Sequence, residues 1–379
     1  MGAMTSRERV ARTLARRAPD RVPIYDKFWF EVEREYREQL GCPFVYHRER
    51  SMFDWGAVSP ESQTTTLWEQ FDMDIAEVAW PDFRLRFTEP EVLEETNEWV
   101  LLRDGNQAEL RWWKHKMGTP EHVRFGINTP EKWAQVKGLL TPSRQRVRWN
   151  EFWPLYRRAR EANRFVCYGV ADPFENIKDV LGHEIMLLAM IEQPEWIRDV
   201  FNTYTDLHIE MFKIVEAEGM VCDGAFVYGD MAYRNGPFMS PAHYREFVQP
   251  CHKRLFDEFH KRGMPVIFHT DGDVRLVLDD LIASGVDSLN PLEAKANMDV
   301  RELAPKYGRR LGFCGNMDVR VMMTNDLDAI REEIGSKLAA VMPYHGYIYH
   351  SDHSIPPGVK LETYQAVLEM VRREGRYGG

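Results

Sequence analysis

The sequence predicts an α/β fold built on a parallel sheet, and a closed barrel in preference to an open sheet. Three observations predict it. From Phe165 onward, short apolar runs alternate with stretches of helical spacing, which is the rhythm of strands joined by helical crossovers. Histidines and carboxylates gather where those runs end, and parallel α/β folds house their chemistry at the carboxyl ends of strands. No glycine-rich dinucleotide fingerprint follows an early strand. Recurrence by itself does not separate an open sheet from a barrel; the 379-residue length and the missing fingerprint favour the barrel.

The elements follow in order. Residues from about Thr5 to Arg17 place Val10 and Leu14 on one helical face, and Pro19 stops them. Arg21 to Tyr25 is a short strand candidate, and Phe28 to Leu40 a second helix ended by Gly41. Its aromatic residues Phe28, Trp29, Phe30 and Tyr36 suit a core, or a wall over a ligand. From Cys42 to Arg160 the pattern is irregular. Glu98–Arg103 and Gln107–Trp113, separated by Asp104, Gly105 and Asn106, read as a β-hairpin decorating one end of the main domain. No glycine- or serine-rich linker divides the chain, so residues 1–379 read as a single domain with decoration within 42–160.

After Arg164 the rhythm is regular. Strands are expected at Phe165–Val170, at Met220–Tyr228, and around Val266, Val286, Arg310 and Ile348. Helices are expected at Phe174–Met190, Pro194–Glu218, Val274–Ser284, Val300–Tyr307, Leu327–Leu338 and Leu361–Arg372. Another helix begins at Ser240-Pro241, a cap followed by a first-turn proline, and runs to Gly263.

Composition narrows the function. With 49 basic and 59 acidic residues the formal charge is −10, which disfavours nonspecific nucleic-acid binding. Arg144, Arg146 and Arg148 form a short local patch that suits an acidic partner better. No apolar run is long enough for a membrane span, and the amino terminus lacks a signal-peptide core, so a cytoplasmic enzyme is expected. The opening Met-Gly-Ala reads as an expression remnant ahead of a native Met4. Five widely spaced cysteines make neither a disulfide framework nor a metal knuckle.

Two stretches concentrate chemistry. PVIFHTDGD (265–273) is a buried strand delivering His269, Asp271 and Asp273 at its end; YHSDHSIPP (349–357) delivers His350, Asp352 and His353. If both strands belong to one sheet, the two clusters converge. Residues two apart on a strand share a face, so His269 and Asp271 can ligate one metal; the rival is a hydrogen-bonded His–Asp pair. Any single aspartate is as well suited to capping a helix or turn as to chemistry, and Asp273 is placed to cap the helix that starts at Val274. Asp230, at the end of another strand, is a candidate for acid–base work, Glu293 for a fourth metal ligand or a proton-transfer group, and Asp352 for a further acid, a substitute ligand for His353 or its partner. Tyr228, Tyr233, Arg234, Cys314, Asn316 and His350 are candidate substrate contacts, and His345 lines the same late loop as His350. Nothing in the sequence activates Cys314 as a nucleophile.

Five segments carry a resemblance: TSRERVARTLARRAPDRVPI, GDMAYRNGPFMSPAHYREFVQP, HTDGDV, GVDSLNP and HSIPPGVKLETY. Together they resemble the uroporphyrinogen decarboxylase superfamily, which takes in porphyrinogen decarboxylases and cobalamin- or corrinoid-dependent methyltransferases. The resemblance implies a (β/α)8 TIM barrel with an amino-terminal helical extension, and a homodimer. The zinc methyltransferases of that group place His-x-Cys at one strand end and a second Cys before a late Gly-Ile-Pro. Here those positions fall on His269, Asp271 and His353, so both thiolates are replaced. The implied cofactor is zinc, with iron or manganese also suited to these harder ligands. No DxHxxG corrinoid-binding motif is present, so the corrinoid would be carried by a partner protein. The implied activity is methyl transfer between a small methylated substrate, such as a methoxylated compound, and that partner, in the manner of the O-demethylases. The alternatives are a metal-free decarboxylase (lyase) and a noncatalytic barrel binding a small molecule or corrinoid. Against decarboxylation, YDKFWFEVEREYRE stands where the decarboxylases have the arginine-supplying MRQAGRY, and FDMDIAEVAW, with Asp74, stands in place of FSDI.

Overall fold

A computed structural model of the chain describes residues 4–42, 66–115 and 119–378. The opening Met-Gly-Ala and the parts of the expected decoration at 43–65 and 116–118 lie outside the described residues.

The strands, in chain order, are β1 (Ile75–Ala79), β2 (Glu91–Glu95), β3 (Trp99–Arg103), β4 (Ala108–Trp113), β5 (Glu121–Phe125), β6 (Phe165–Ala171), β7 (Gly224–Tyr228), β8 (Ala232–Tyr233), β9 (Gly236–Pro237), β10 (Val266–His269), β11 (Ser288–Asn290), β12 (Gly312–Cys314) and β13 (Tyr347–Ile348). Seven of them form one parallel sheet in the order β1-β6-β7-β10-β11-β12-β13. The sheet is open, curled and resembles an incomplete TIM barrel. Its strands are short and almost wholly buried, because the crossover helices cover one face and the curl encloses the other. Alongside the last strand lies the segment around Ile24. Ile24 bridges Tyr349 in parallel sense, the Tyr25 N–H donates to the Tyr349 carbonyl at 3.0 Å, and the Asp74 N–H donates to the Ile24 carbonyl at 2.7 Å.

Register puts the strand ends in line. Tyr228 pairs with His269, and His269 with Asn290, so three polar side chains stand in one row at the carboxyl edge. The opposite end of β1 is held by charge. Asp74, fully buried, accepts from Arg9 (2.6 Å), Arg21 (2.8 Å), the Ser6 hydroxyl (2.6 Å) and the Ile24 N–H (2.7 Å). Asp74 therefore stands at the amino-terminal edge, away from the row of Tyr228, His269 and Asn290.

Helix starts follow their caps. Thr5 and Glu8 make a reciprocal capping box ahead of helix Ser6–Leu14. The Ser240 hydroxyl accepts the His243 N–H at 3.2 Å, with Pro241 in the first turn. The expected hairpin is paired from Trp99↔Trp113 to Arg103↔Glu109, and β2 and β5 extend it into a four-stranded antiparallel sheet. The arginine patch is spent internally. Arg146 is buried and donates to the carbonyls of Thr141, Asp82, Arg84 and Leu139, while Arg144 pairs with Glu218 and Arg148 with Glu151. Among the described residues, no helix is long and apolar enough to cross a membrane.

Candidate metal centre at the strand ends

His269 ends β10, and its ring stacks on Tyr228 with centroids 4.6 Å apart. Its Nδ1 lies 2.6 Å from the Asn290 Oδ1. The amide nitrogen of Asn290 donates to the Cys314 carbonyl at 2.8 Å, which leaves the amide oxygen for His269. An oxygen accepts, so Nδ1 carries a hydrogen and, in the neutral ring, Nε2 keeps its lone pair. That lone pair faces acids: Nε2 is 3.8 Å from Asp230 Oδ1 and 3.7 Å from Asp271 Oδ1.

Asp271 is the hub. Its Oδ1 is buried without a hydrogen-bond partner, and its Oδ2 lies 3.5 Å from the His353 Nε2. Burial pushes its carboxyl upward, but His353, His269 and Lys295 outweigh that and hold it below the ordinary value. His353 shows the mirror effect: burial opposes its charge, Asp271 favours it more strongly, and its pKa is raised. Trp29 stacks over the His353 ring at 5.6 Å and 12°. Of the other aromatic residues in that stretch, Phe28 and Tyr36 go to the core, where they pack against Phe71 and Tyr364.

Two more acids flank the hub. Asp230 accepts the Tyr228 hydroxyl at 2.8 Å and the Asp271 N–H at 3.0 Å; its own N–H donates to Glu175 at 3.1 Å. Burial raises the pKa of Glu175, with Lys178 opposing. Glu293, buried, accepts the Gly272 N–H at 2.8 Å and pairs with Lys295 at 2.7 Å. Two groups of donor atoms result, each with its atoms within 4.8 Å of one another: Asp230, His269 and Asp271, and Asp271, Glu293 and His353. The structure thus gathers His269, Asp271 and His353 around one carboxylate, a histidine at each oxygen. These nitrogen and oxygen donors suit a divalent cation, and the unpartnered Asp271 Oδ1 and free His269 Nε2 leave ligand positions open to one.

The remaining sequence-selected residues divide between this centre and the framework around it. Asp352 accepts the Ala294 and Val319 N–H groups, one on each oxygen at 2.9 Å, and burial pushes it up to about 6. Asn316 is buried and bonded to Val300, Leu292 and Met298. Cys314 is buried, and burial raises its thiol far above the ordinary range. Tyr233 and Arg234 are exposed on the β8–β9 hairpin. Asp273 accepts the Arg275 N–H at 3.0 Å, in keeping with its expected local role. His345 stacks edge-on with Tyr377.

His350 is buried. Its Nδ1 donates to the Ser351 carbonyl at 2.6 Å, which leaves Nε2 as a buried lone pair without a partner; burial pushes the imidazole down to about 3. Beside it, Asp26 is pushed up to about 7 by burial. Sequence reasoning passed over Asn290, whose role depends on its cross-strand partner. It also passed over Lys27 and Glu77, which pair at 3.1 Å, with the ammonium 4.2 Å from the centre of the Phe226 ring that also flanks His269.

Known proteins share this architecture. The profile of the family described as uroporphyrinogen decarboxylase (URO-D) matches residues 155–374. The uroporphyrinogen decarboxylase of Pseudomonas fluorescens is 28% identical over 173 residues, 44% of this chain and 47% of the relative. That of Thermus thermophilus is 30% identical over 137 residues, 35% of this chain and 38% of the relative. The chain thus spans less than half the length of these curated relatives. A solved methyltransferase from Methanosarcina mazei shares the fold, with a TM-score of 0.70 at 15% identity over 98% of this chain and 99% of that one. With the profile lying over more than half of its residues, including every donor of the two groups, the chain belongs to the uroporphyrinogen decarboxylase family.

Proposed function

We propose that this protein is a metal-dependent methyltransferase acting between a small methylated substrate, preferentially a methoxylated compound, and a corrinoid carried by a separate protein. The observation that carries the reading is Asp271, set between His269 and His353 with one oxygen unpartnered, beside a histidine whose lone pair Asn290 aims at it. His269, Asp271 and His353 would hold the cation, zinc in the first instance and iron or manganese as alternatives of similar donor preference. A divalent cation there supplies a Lewis acid for the substrate oxygen next to the methyl group.

The chain's own residues do the rest. Asn290 keeps the His269 ring in one tautomer and orientation. Tyr228 and the Asp271 N–H hold Asp230 at the rim, where its carboxylate can take a proton. Glu293, with Lys295, provides a second acid, and Asp352 braces the loop that bears His353. The His350 lone pair and the Lys27–Glu77 pair are the polar contacts for orienting a substrate against Phe226. The donor set holds no sulfur, and such hard ligands favour oxygen over thiolate as the atom engaged.

The reading takes the chain as one domain of (β/α)8 kind, the Ile24 segment standing in the eighth strand position, working in the cytoplasm as a homodimer. Its bridge to Tyr349 and bond to Asp74 support that placement. The test is metal content of the purified protein together with His269→Ala and His353→Ala, followed by methyl transfer from methoxylated compounds to a corrinoid protein. Bound metal that each variant holds more weakly or in smaller amount, with transfer that depends on it, is the expected result. A folded protein that takes up no metal on reconstitution, and that decarboxylates a porphyrinogen instead, would overturn it.

A further inference from the structure

The donors at the strand ends outnumber what one ion needs, and their arrangement is not that of a single cage. His269 and His353 approach different oxygens of the same carboxylate, at 3.7 and 3.5 Å. Each histidine has its own further acid: Asp230 Oδ1 stands 3.8 Å from His269 Nε2, and Glu293 belongs to the group of His353. Asp271 is shared by both groups. A carboxylate used in this way, one oxygen to each side, is the bridging ligand of two-metal sites, which hold their ions roughly 3.5–4 Å apart.

We propose that the Asp271 carboxylate bridges two divalent cations, the first held by Asp230, His269 and Asp271, the second by Asp271, Glu293 and His353. The inference rests on the reading of these strand ends as a metal centre, and replaces its single ion on His269, Asp271 and His353 with two ions that divide those ligands.

The two positions are unequal. At the first, Asp271 Oδ1 is buried without a protein partner and the His269 lone pair is oriented by Asn290, so the ligands are already in place. The Asp271 N–H, bonded at 3.0 Å to Asp230 Oδ1, ties the two acids of that group together. At the second, Lys295 occupies Glu293 Oε1 at 2.7 Å and the Gly272 N–H occupies Oε2 at 2.8 Å. An ion entering there must displace the lysine, whose side chain is 46% exposed and has room to leave. The first ion therefore binds tightly and the second more weakly, and Lys295 sets the difference.

The experiment uses the full chain, stripped with a chelator and titrated with Mn2+ and Zn2+, counting bound ions by equilibrium dialysis with elemental analysis. Two ions per chain in two separate steps are expected, with magnetic coupling between the Mn2+ pair in electron paramagnetic resonance. Asp230→Asn should lose the tight step and Glu293→Gln the weak one, each variant keeping one ion and no coupling. Lys295→Met should tighten the weak step severalfold and leave the strong one unchanged. Circular dichroism establishes that each variant is folded. One ion per chain, indifferent to Glu293→Gln, overturns the bridged pair while leaving the proposed function standing; two ions without coupling also overturn it. No ion at all removes both.

Discussion

Asn290 decides which nitrogen of His269 faces the acids, and it does so from the neighbouring strand through one bond of 2.6 Å. Asn290→Leu should leave the fold intact and weaken metal binding by about 10–100-fold, the usual cost of losing a ligand's supporting hydrogen bond; competition with a chromogenic chelator measures it. A second prediction concerns Asp26, whose carboxyl stands at about 7 in the folded chain against an ordinary 3.8. Well below 3.8 both folded and unfolded chains hold the proton, so no charge is buried. As pH rises toward 7 the unfolded chain releases it first, so this residue's contribution to stability falls through that window and is flat above it. Between pH 4 and pH 7, Asp26→Asn should therefore lose less stability than the native chain, by roughly 2–4 kcal/mol at about 1.4 kcal/mol per unit. Urea denaturation at both pH values checks the sign. The sequence indicates which residues carry chemistry, but not which way they turn. Asp271 and Asp352 lie in equally promising strand-end clusters; one is left with an open oxygen and the other is spent on two backbone amides, a difference made by loops whose packing partners are far away in sequence.

Among the elements, the loop after β10 depends on Gly272. Its φ is +83°, and an added Cβ would lie 2.6 Å from the Ala232 carbonyl carbon and 2.7 Å from the Tyr233 backbone. Gly272→Ala should cost about 1–3 kcal/mol in strain and shift the N–H that holds Glu293, so denaturation and metal titration should both register it. The helix start at Pro241 was legible because a cap is local chemistry, Ser240 followed by Pro241; the wider turn at Tyr244–Val248 that interrupts the helix expected to reach Gly263 was not. The short strands of the parallel sheet were less legible. Expected centres at Val286 and Arg310 stand just ahead of β11 and β12, because a strand of three buried residues is defined by its neighbours rather than by a pattern of its own. β2 and β5 escaped notice for another reason: four of the five residues in each are exposed, and neither alternates cleanly between apolar and polar.

For the molecule as a whole, Asp74 fastens the amino-terminal segment to the sheet. Asp74→Ala would leave Arg9 and Arg21 without their buried partner, and should cost about 3–5 kcal/mol while metal affinity at the other edge of the sheet is unchanged; urea unfolding followed by tryptophan fluorescence, beside a metal titration, separates the two. The parallel α/β architecture was legible in the repeat of strand and helix. How the sheet curls was not, since that depends on contacts such as Ile24 with Tyr349, far apart in sequence. The same pairing of distant ends bears on how the centre is made. A ribosome delivers Asp230, His269 and Asp271 seconds before it delivers His353, and Trp29 waits through nearly the whole of synthesis for the ring it covers. On the proposed reading the first group of donors is available to an ion before synthesis ends, whereas the His353 side is finished only when Trp29 and His353 have met.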